Sequence, residues 1–393
     1  MRVLVVCQHY FPEPFRITDI CEELVSHGHE VTVLTGVPNY PEGVVYEGYK
    51  YGKKRDEIIN GVKVHRCFTI ARKKGILFRL LNYYSFSFSS AIRALRMKEK
   101  FDVVFVNQLS PVMMARAAKV YKKKHGTRLV LYCLDLWPES LIAGGIKKDS
   151  LIYKIFHVIS KRFYSSADRI MISSKSFSSY FDRKFGIKET LYLPQYAEAL
   201  FDAEACKKEQ NDTVDLMFAG NVGKAQSIQT IIEAADKTRD IANLRWHIVG
   251  YGSEYERMTA MAQSMGLENV IFHGRHPLEE MPKYYSMADA MLMTMQKDEV
   301  ISLTLPGKMQ TYMAAGKPIL GAIDGEAATI IRDSECGLCC SAEDADGLAN
   351  IARSFVDTIR TQNYGECSLR FYKEHFTKTQ VIDRLIQVLK DEA

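Results

Sequence analysis

Long apolar runs are missing from this 393-residue chain. None approaches the ~18 consecutive apolar residues that a membrane span needs. The start, MRVLVVCQHYFPEP, is apolar for too few residues to form a secretory h-region. The expected compartment is therefore the cytoplasm. Cysteine is scattered and odd in number, nine in all, which fits poorly with a secreted disulfide framework. Cys336-Gly-Leu-Cys339-Cys340 holds a CxxC, but no second CxxC and no HxxxH exists to complete a metal site. A structural strand is the better reading there. GxGxxG and Walker A loops are absent, as are fixed-period repeats and low-complexity segments. Net charge is only +5, too mild an excess to argue for a nucleic-acid partner.

What is present is the composition of a soluble globular protein, 47% hydrophobic and 25% charged, long enough for two domains with separate cores. Short β-branched runs alternate with helical patterns from Val3–Cys7 to Thr190–Leu193. The alternation restarts at Val214–Ala219 and continues to Gly337–Cys340. Near-continuous apolar strands separated by helices predict parallel, doubly wound α/β sheets. Two Rossmann-like halves follow, with a boundary in the stretch Pro194–Thr213, and a last helix spaced to pack back on the first half. Ligands of such sheets bind beyond the carboxyl ends of the strands.

Four strand-to-helix turns in the second half suit an anion. Phe218-Ala-Gly-Asn-Val-Gly-Lys-Ala-Gln226 supplies two glycines and a lysine before a helix. Ile248-Val-Gly-Tyr-Gly-Ser-Glu254 and Phe272-His-Gly-Arg-His-Pro277 are two more. For the first of these a plain tight turn is an equal alternative; the exposed backbone of the third could read a planar base edge, and His276 reads at least equally well as a loop histidine without a ligand. The fourth is LTLPGKMQTYMAAGKP, where Pro306 and Gly307 open a helix and Lys308 adds an ammonium. In the first half, Tyr132-Cys-Leu-Asp-Leu-Trp-Pro-Glu-Ser140 places two carboxylates, Asp135 and Glu139, just past a strand. They could orient substrate hydroxyls, transfer a proton or stabilise a cationic centre; the alternative is a helix cap and a core tryptophan. His9, Glu13 and Arg16 lie in the loop after the first strand. Arg72, Lys73 and Lys74 open a basic, aromatic stretch that suits either an anionic membrane surface or a buried helix with charged ends.

Together the segments YFPEPFRITDICEELVSHGHEVTVLTGVPNYPEG, DLWPES, FAGNVGKAQ, HIVGYGSEYERM, LPGKMQTYMAAGKP and YKEHFTKTQVIDRL resemble a family-four retaining glycosyltransferase of the GT-B fold. Within that family they resemble the WbuB-like branch of bacterial capsule, O-antigen and colanic-acid synthesis. The resemblance implies an α/β fold of two Rossmann-like domains facing across a cleft. The first, residues 1–195 with the helix 376–393 packed back on it, would take the acceptor; the second, 196–375, would take the donor. The implied reaction moves a sugar, with retention and without a metal, from a nucleotide diphosphate sugar, UDP-sugar favoured, to a polyprenyl-diphosphate-linked glycan precursor. The enzyme would then lie peripherally on the inner face of the cell membrane. By position, Gly223, Lys224, Pro306, Gly307 and Lys308 would lie by the diphosphate. Arg275, His276 and Thr311 would lie by the base and ribose, and Asp135 with Glu139 would form the catalytic edge. His9, Glu13 and Arg16 would face the acceptor. Two departures stand out. The family's glutamate pair falls on Leu303 and Thr311, with Asp298 and Glu299 the nearest acids to replace the first. The usual first-turn arginine and lysine fall on Asn221 and Gln226. A soluble small-molecule acceptor, or a GT-B scaffold that binds or assembles without full catalysis, are the competing readings.

Overall fold

The computed structural model describes residues 1–73, 75–143, 145–209, 211–359 and 361–391. It divides into two units. Unit 1 is Met1–Leu193 together with the chain from Ile382 onward, and unit 2 is Pro194–Val381.

Among the described residues, unit 1 is built on eight strands: β1 (Arg2–Val6), β2 (Glu30–Thr35), β3 (Asp56–Ile59), β4 (Val62–Arg66), β5 (Val103–Gln108), β6 (Arg128–Cys133), β7 (Arg169–Ile172) and β8 (Leu191–Tyr192), in the order β3-β4-β2-β1-β5-β6-β7-β8. The chain order reverses between β1 and β5, which pair in parallel with Val3 opposite Val103. Val3, Leu4, Val5 and Val6 are all 0% exposed, so both faces of this strand are covered, as a central parallel strand requires. One strand departs from the all-parallel expectation. β3 pairs antiparallel with β4, because Asn60 and Gly61 both take positive φ, 46° and 83°, and close a two-residue hairpin. Its sequence, DEII, hides it: each face carries one acid and one isoleucine, and Ile58 is exposed at the sheet edge.

Among its described residues, unit 2 carries six strands: β9 (Val214–Ala219), β10 (Leu244–Val249), β11 (Val270–Gly274), β12 (Ala290–Thr294), β13 (Ile319–Ala322) and β14 (Gly337–Cys340). Their order is β11-β10-β9-β12-β13-β14, every pair parallel. All six residues of β9 are buried, and alternate ones serve different cores. Leu216 and Phe218 join Trp246 and the helix Ile228–Asp236 on one face. Met217 and Ala219 join Met309, Tyr312 and Met313 of the helix Lys308–Ala314 on the other. Each such large side chain contributes about 1.5–3 kcal/mol of transfer free energy, so the helix that follows Pro306 is fixed to the sheet by its far face. The CxxC lies at β14, where Cys340 donates to the Gly321 carbonyl across the sheet at 3.5 Å. All nine cysteines are free thiols. Among the described residues no group of three His, Cys, Asp or Glu could hold a metal ion, and no helix is long and apolar enough to cross a membrane.

The last helix, Lys378–Lys390, runs from unit 2 into unit 1. Arg128 fastens its end, donating to Asp391 at 2.7 Å, to the Val388 carbonyl at 2.8 Å and to the Leu389 carbonyl.

Candidate functional site

In unit 2 the strand order reverses between β9 and β12, and the loops at their carboxyl ends are laced together by backbone bonds. Gly220 N–H donates to Val249 at 2.9 Å, Gly250 N–H to Gly274 at 2.7 Å and Val222 N–H to Tyr251 at 3.2 Å. Gly250 has φ 137°, and a Cβ there would lie 1.8 Å from the Gly220 carbonyl oxygen. Only glycine permits that crossing. The β12 loop joins the same knot, because Gln296 N–H donates to Ala225 at 2.8 Å and the Thr294 hydroxyl to Gln226 at 2.6 Å.

Lys308 is the group this knot encloses. Its Nζ sits 3.9 Å from the centre of the Phe218 ring and 3.4 Å from where a Gly220 Cβ would be. It is buried and has no hydrogen-bond partner. Burial alone lowers its pKa from 10.5 to about 7; no charged group compensates. Gly307, immediately before the helix, faces the Gln195 side chain: a Cβ at Gly307 would meet Gln195 Oε1 at 3.4 Å. The helix start offers fewer free N–H groups than the sequence suggested. Met309 N–H is taken by the Pro306 carbonyl at 3.0 Å. Hydrogen bonding orients the Gln310 amide nitrogen toward the carbonyls of Pro306 and Gly307, at 3.2 and 3.0 Å. Lys224 opens the turn Lys224–Gln226 with its side chain exposed. Gly223 before it is crowded, since a Cβ would stand 2.5 Å from Asn221 Nδ2.

The remaining predicted residues divide. Arg275 is exposed, its guanidinium carbon 6.0 Å from the centre of the Tyr251 ring. His276 is held by Glu280 at 3.0 Å and by the Tyr284 hydroxyl at 2.7 Å, so it is a fixed loop element rather than a loose histidine. Thr311 is 6% exposed and its hydroxyl turns back to the Gly307 carbonyl at 3.5 Å. Asp298 accepts from the N–H groups of Val300 and Ile301 at 2.8 and 3.0 Å, capping the turn Ile301–Leu303, and Glu299 is exposed beside it. Tyr251 was not singled out by sequence reasoning. It is 43% exposed at the end of β10 between two glycines, a pattern that could have marked it.

In unit 1 the reversal lies between β1 and β5. The loop after β1 is tied to the loop after β2 by Glu13, whose Oε1 accepts from Asn39 and Tyr40 N–H at 2.9 and 2.7 Å. His9 Nδ1 lies 3.1 Å from both Glu13 oxygens, and its ring stacks on Phe15 at 4.7 Å. The two are 6% and 3% exposed. Glu13 thus fixes the His9 ring and leaves Nε2 as the ring nitrogen it does not engage. Arg16, half-buried, precedes the helix Ile17–Ser26 and lowers the pKa of Tyr132 against a larger rise from burial.

Asp135 and Glu139 are not equivalent. Asp135 accepts from Ser110 N–H at 3.0 Å and is half-open to solvent, yet enclosed enough that burial raises its carboxyl pKa. Ser110 also accepts from the Trp137 indole at 2.9 Å and donates to Ser140 at 3.0 Å, which knits the β5 and β6 loops together. Glu139 is 2% exposed; it accepts from the Tyr153 hydroxyl at 2.8 Å and lies 3.9 Å from Lys184 Nζ. It is sealed under the loop, while Asp135 is half-buried on the Ser110 N–H. Arg72 is half-buried and Lys73 exposed, stacked over Tyr83 at 5.7 Å and Phe78 at 5.6 Å. Lys74 lies outside the described residues.

Residues 15–194 match the family described as Glycosyl transferase 4-like domain, and residues 202–364 match Glycosyl transferases group 1. Over 336 residues the chain is 26% identical to WcaI of Escherichia coli (strain K12), named for a glycosyl transferase of colanic acid biosynthesis; the match covers 80% of this chain and 82% of that protein. Sucrose-phosphate synthase from Thermosynechococcus elongatus shares the fold with a TM-score of 0.76 at 14% identity, over 100% of this chain and 98% of its own. HepE of Anabaena in complex with UDP-glucose gives a TM-score of 0.71 at 14% identity over 100% of both chains.

Proposed function

The chain belongs to the family-four glycosyl transferases, and from that premise we propose that it moves a sugar from a UDP-sugar to a lipid-linked glycan precursor, with retention, in bacterial surface-polysaccharide synthesis. Lys308 carries the reading. An ammonium buried at the strand-order reversal without a counter-charge costs free energy unless an anion arrives there. A diphosphate is such an anion, and its leaving charge would be met by Lys308 and the exposed Lys224, with no metal assigned a role. Tyr251 and Arg275 offer a face and a cation for the uracil ring. Gly223, Pro306 and Gly307 let backbone approach the phosphates, and Asp298 and Glu299 border the donor sugar. A relative's name favours the polysaccharide setting, since WcaI is named for colanic acid biosynthesis; HepE, solved with UDP-glucose bound, supports a UDP-sugar donor.

On unit 1, Asp135 is assigned to the acceptor hydroxyl, because Ser110 N–H orients its carboxylate and burial raises its pKa, which makes it a better proton acceptor. His9 and Arg16 line the acceptor edge. Glu13 and Glu139 are positioning residues, one for His9 and one for the Asp135 loop. Lipid-linked substrate places the enzyme at the inner membrane face. The helix Ile76–Arg96 supports this, exposing Leu77, Leu81, Phe88, Ile92 and Leu95 in one stripe behind Arg72 and Lys73.

The deciding experiment screens nucleotide sugars for thermal stabilisation and for hydrolysis. Stabilisation by one or more UDP-sugars, with hydrolysis abolished in Asp135→Asn, is expected. No stabilisation by any uridine or guanosine diphosphate sugar would refute the donor assignment.

A further inference from the structure

Glu13 sits at the centre of a tied cluster at the carboxyl edge of the unit 1 sheet. Besides the N–H groups of Asn39 and Tyr40, it holds His9, whose Nδ1 is 3.1 Å from each of its oxygens. A carboxylate accepts, so Nδ1 carries the proton and Nε2 presents a lone pair. Among the described residues nothing hydrogen-bonds that second nitrogen.

Tyr40 is the exposed member of the cluster. Its N–H is spent on Glu13, and its carbonyl accepts from the Tyr46 hydroxyl at 2.6 Å. Asn39 before it donates to the Val37 carbonyl at 2.8 Å and accepts from Arg72 N–H at 2.9 Å. The loop therefore has little freedom left to lose. The Tyr40 ring is tilted by 59° against both His9 and Phe15, with centres 5.7 and 5.2 Å away. Neither neighbour covers it face to face, and the residue is 38% exposed. An aromatic ring held open on a fixed backbone is a preorganised contact surface, because covering it costs little further ordering.

The chemistry of the pair selects its ligand. A pyranose presents a face of C–H bonds that suits an aromatic ring and a rim of hydroxyls that can donate to an imidazole lone pair. A phosphate is the poorer fit, since the Glu13 carboxylate stands directly behind His9 and repels negative charge. We propose that Tyr40 and His9 read the sugar ring of the acceptor, its C–H face packed on Tyr40 and one rim hydroxyl donating to His9 Nε2. Recognition at this edge is then of the sugar, whatever carrier bears it, and the hydroxyl that reacts stays with Asp135. The inference rests on the reading of unit 1 as the acceptor side and names the residues that would set its specificity.

The test uses the full chain and a panel of methyl glycosides of common hexoses and N-acetylhexosamines, with no lipid present. Saturation-transfer NMR with and without saturating UDP should find at least one that binds, with transfer strongest to the C–H protons of one ring face. Tyr40→Leu keeps apolar bulk and removes the aromatic face; it should weaken that glycoside by about two- to tenfold and abolish the face preference. Tyr40→Phe should bind as wild type does. Among deoxy analogues, one should lose about two- to tenfold on wild type and nothing on His9→Phe, which keeps a ring against Phe15 but has no Nε2. Thermal midpoints check that each variant folds. No glycoside bound by wild type, or binding untouched by Tyr40→Leu, would overturn the site. A loss in Tyr40→Phe as large as in Tyr40→Leu would overturn the stacking. Displacement of the glycoside by UDP-glucose but not by UDP would give the ring to the donor and overturn the acceptor assignment. UDP titration of the same proteins reports separately on the donor reading, since no substitution touches unit 2.

Discussion

Lys308→Met should make the empty protein more stable and the donor site weaker. Burial without a counter-charge moves the ammonium from its usual 10.5 to about 7, a gap equivalent to about 5 kcal/mol of preference for the neutral amine. At pH 7 the folded lysine is half-protonated, so about 4 kcal/mol of that opposes folding. Methionine keeps the stem over Phe218 and removes the charge, so a gain of roughly 2–4 kcal/mol is expected. For a unit of this size, that is on the order of 5–10 °C in thermal midpoint. The pH dependence has a definite sign. A lysine whose folded pKa is depressed binds more protons unfolded, so wild-type stability rises with pH from about 7 toward 10.5. The advantage of the variant should therefore shrink by about 2 kcal/mol between pH 7 and pH 9. UDP affinity should respond the other way. The charge-assisted bond to phosphate is lost in the variant, weakening UDP by about 10- to 150-fold. Wild-type affinity should fall above pH 7 as the proton becomes harder to supply, and that of the variant should not. Scanning calorimetry and isothermal titration read both. A variant no more stable than wild type, or equal UDP affinity in both proteins, would refute the reasoning.

Gly250→Ala forces a Cβ to within 1.8 Å of the Gly220 carbonyl at a φ of 137°; it should cost more than about 3 kcal/mol in chemical denaturation and abolish UDP binding. His273 is pushed below its usual pKa by burial first, then by His247 and His276. Its neutral form is favoured in the fold, so unit 2 should lose stability as pH falls below about 6.5, and His273→Asn should flatten that loss in a thermal series from pH 7.5 to 5.5. Arg128→Ala removes the bonds to Asp391, Val388 and Leu389; hydrogen exchange should rise in the last turns of the helix Lys378–Lys390, by the equivalent of about 1–3 kcal/mol.

Strand identity in unit 2 was legible because each strand is a short, mostly apolar run near a turn, and that pattern survives without tertiary information; the strand order was not read from it. β3 was not legible, because an edge strand buries one face only and its DEII reads as polar. The loops that carry the candidate site were legible as positions but not as roles. DLWPES gave two carboxylates of equal standing, and only packing separates Asp135, oriented by Ser110, from Glu139, sealed under the loop by Tyr153. Lys308 read as a phosphate ligand at a helix start. Its enclosure by Phe218 and Gly220, residues some ninety positions earlier in the chain, is a long-range fact that no local pattern encodes. Tyr251 went unread for the opposite reason: a tyrosine between two glycines looks like a turn until its exposure beside Arg275 is known.

The missing glutamate and the unpaired lysine are one feature. Thr311 lies three positions after Lys308 on the same helix, so their side chains are neighbours on its surface. A carboxylate at 311 would give the ammonium a permanent partner, raise its pKa and leave the site neutral before any ligand arrives. With threonine turned back to the Gly307 carbonyl, a diphosphate bound as proposed would be the first counter-charge Lys308 meets, and its binding would draw a proton onto the amine above pH 7. Thr311→Glu tests that coupling. Calorimetry of UDP binding at pH 8, in two buffers of different ionisation enthalpy, should show proton uptake by wild type and almost none by the variant. Circular dichroism and the thermal midpoint verify that the larger side chain has been accommodated. Proton uptake unchanged in a folded Thr311→Glu protein would mean that the proton comes from some group other than Lys308, and the link between the two positions would be broken.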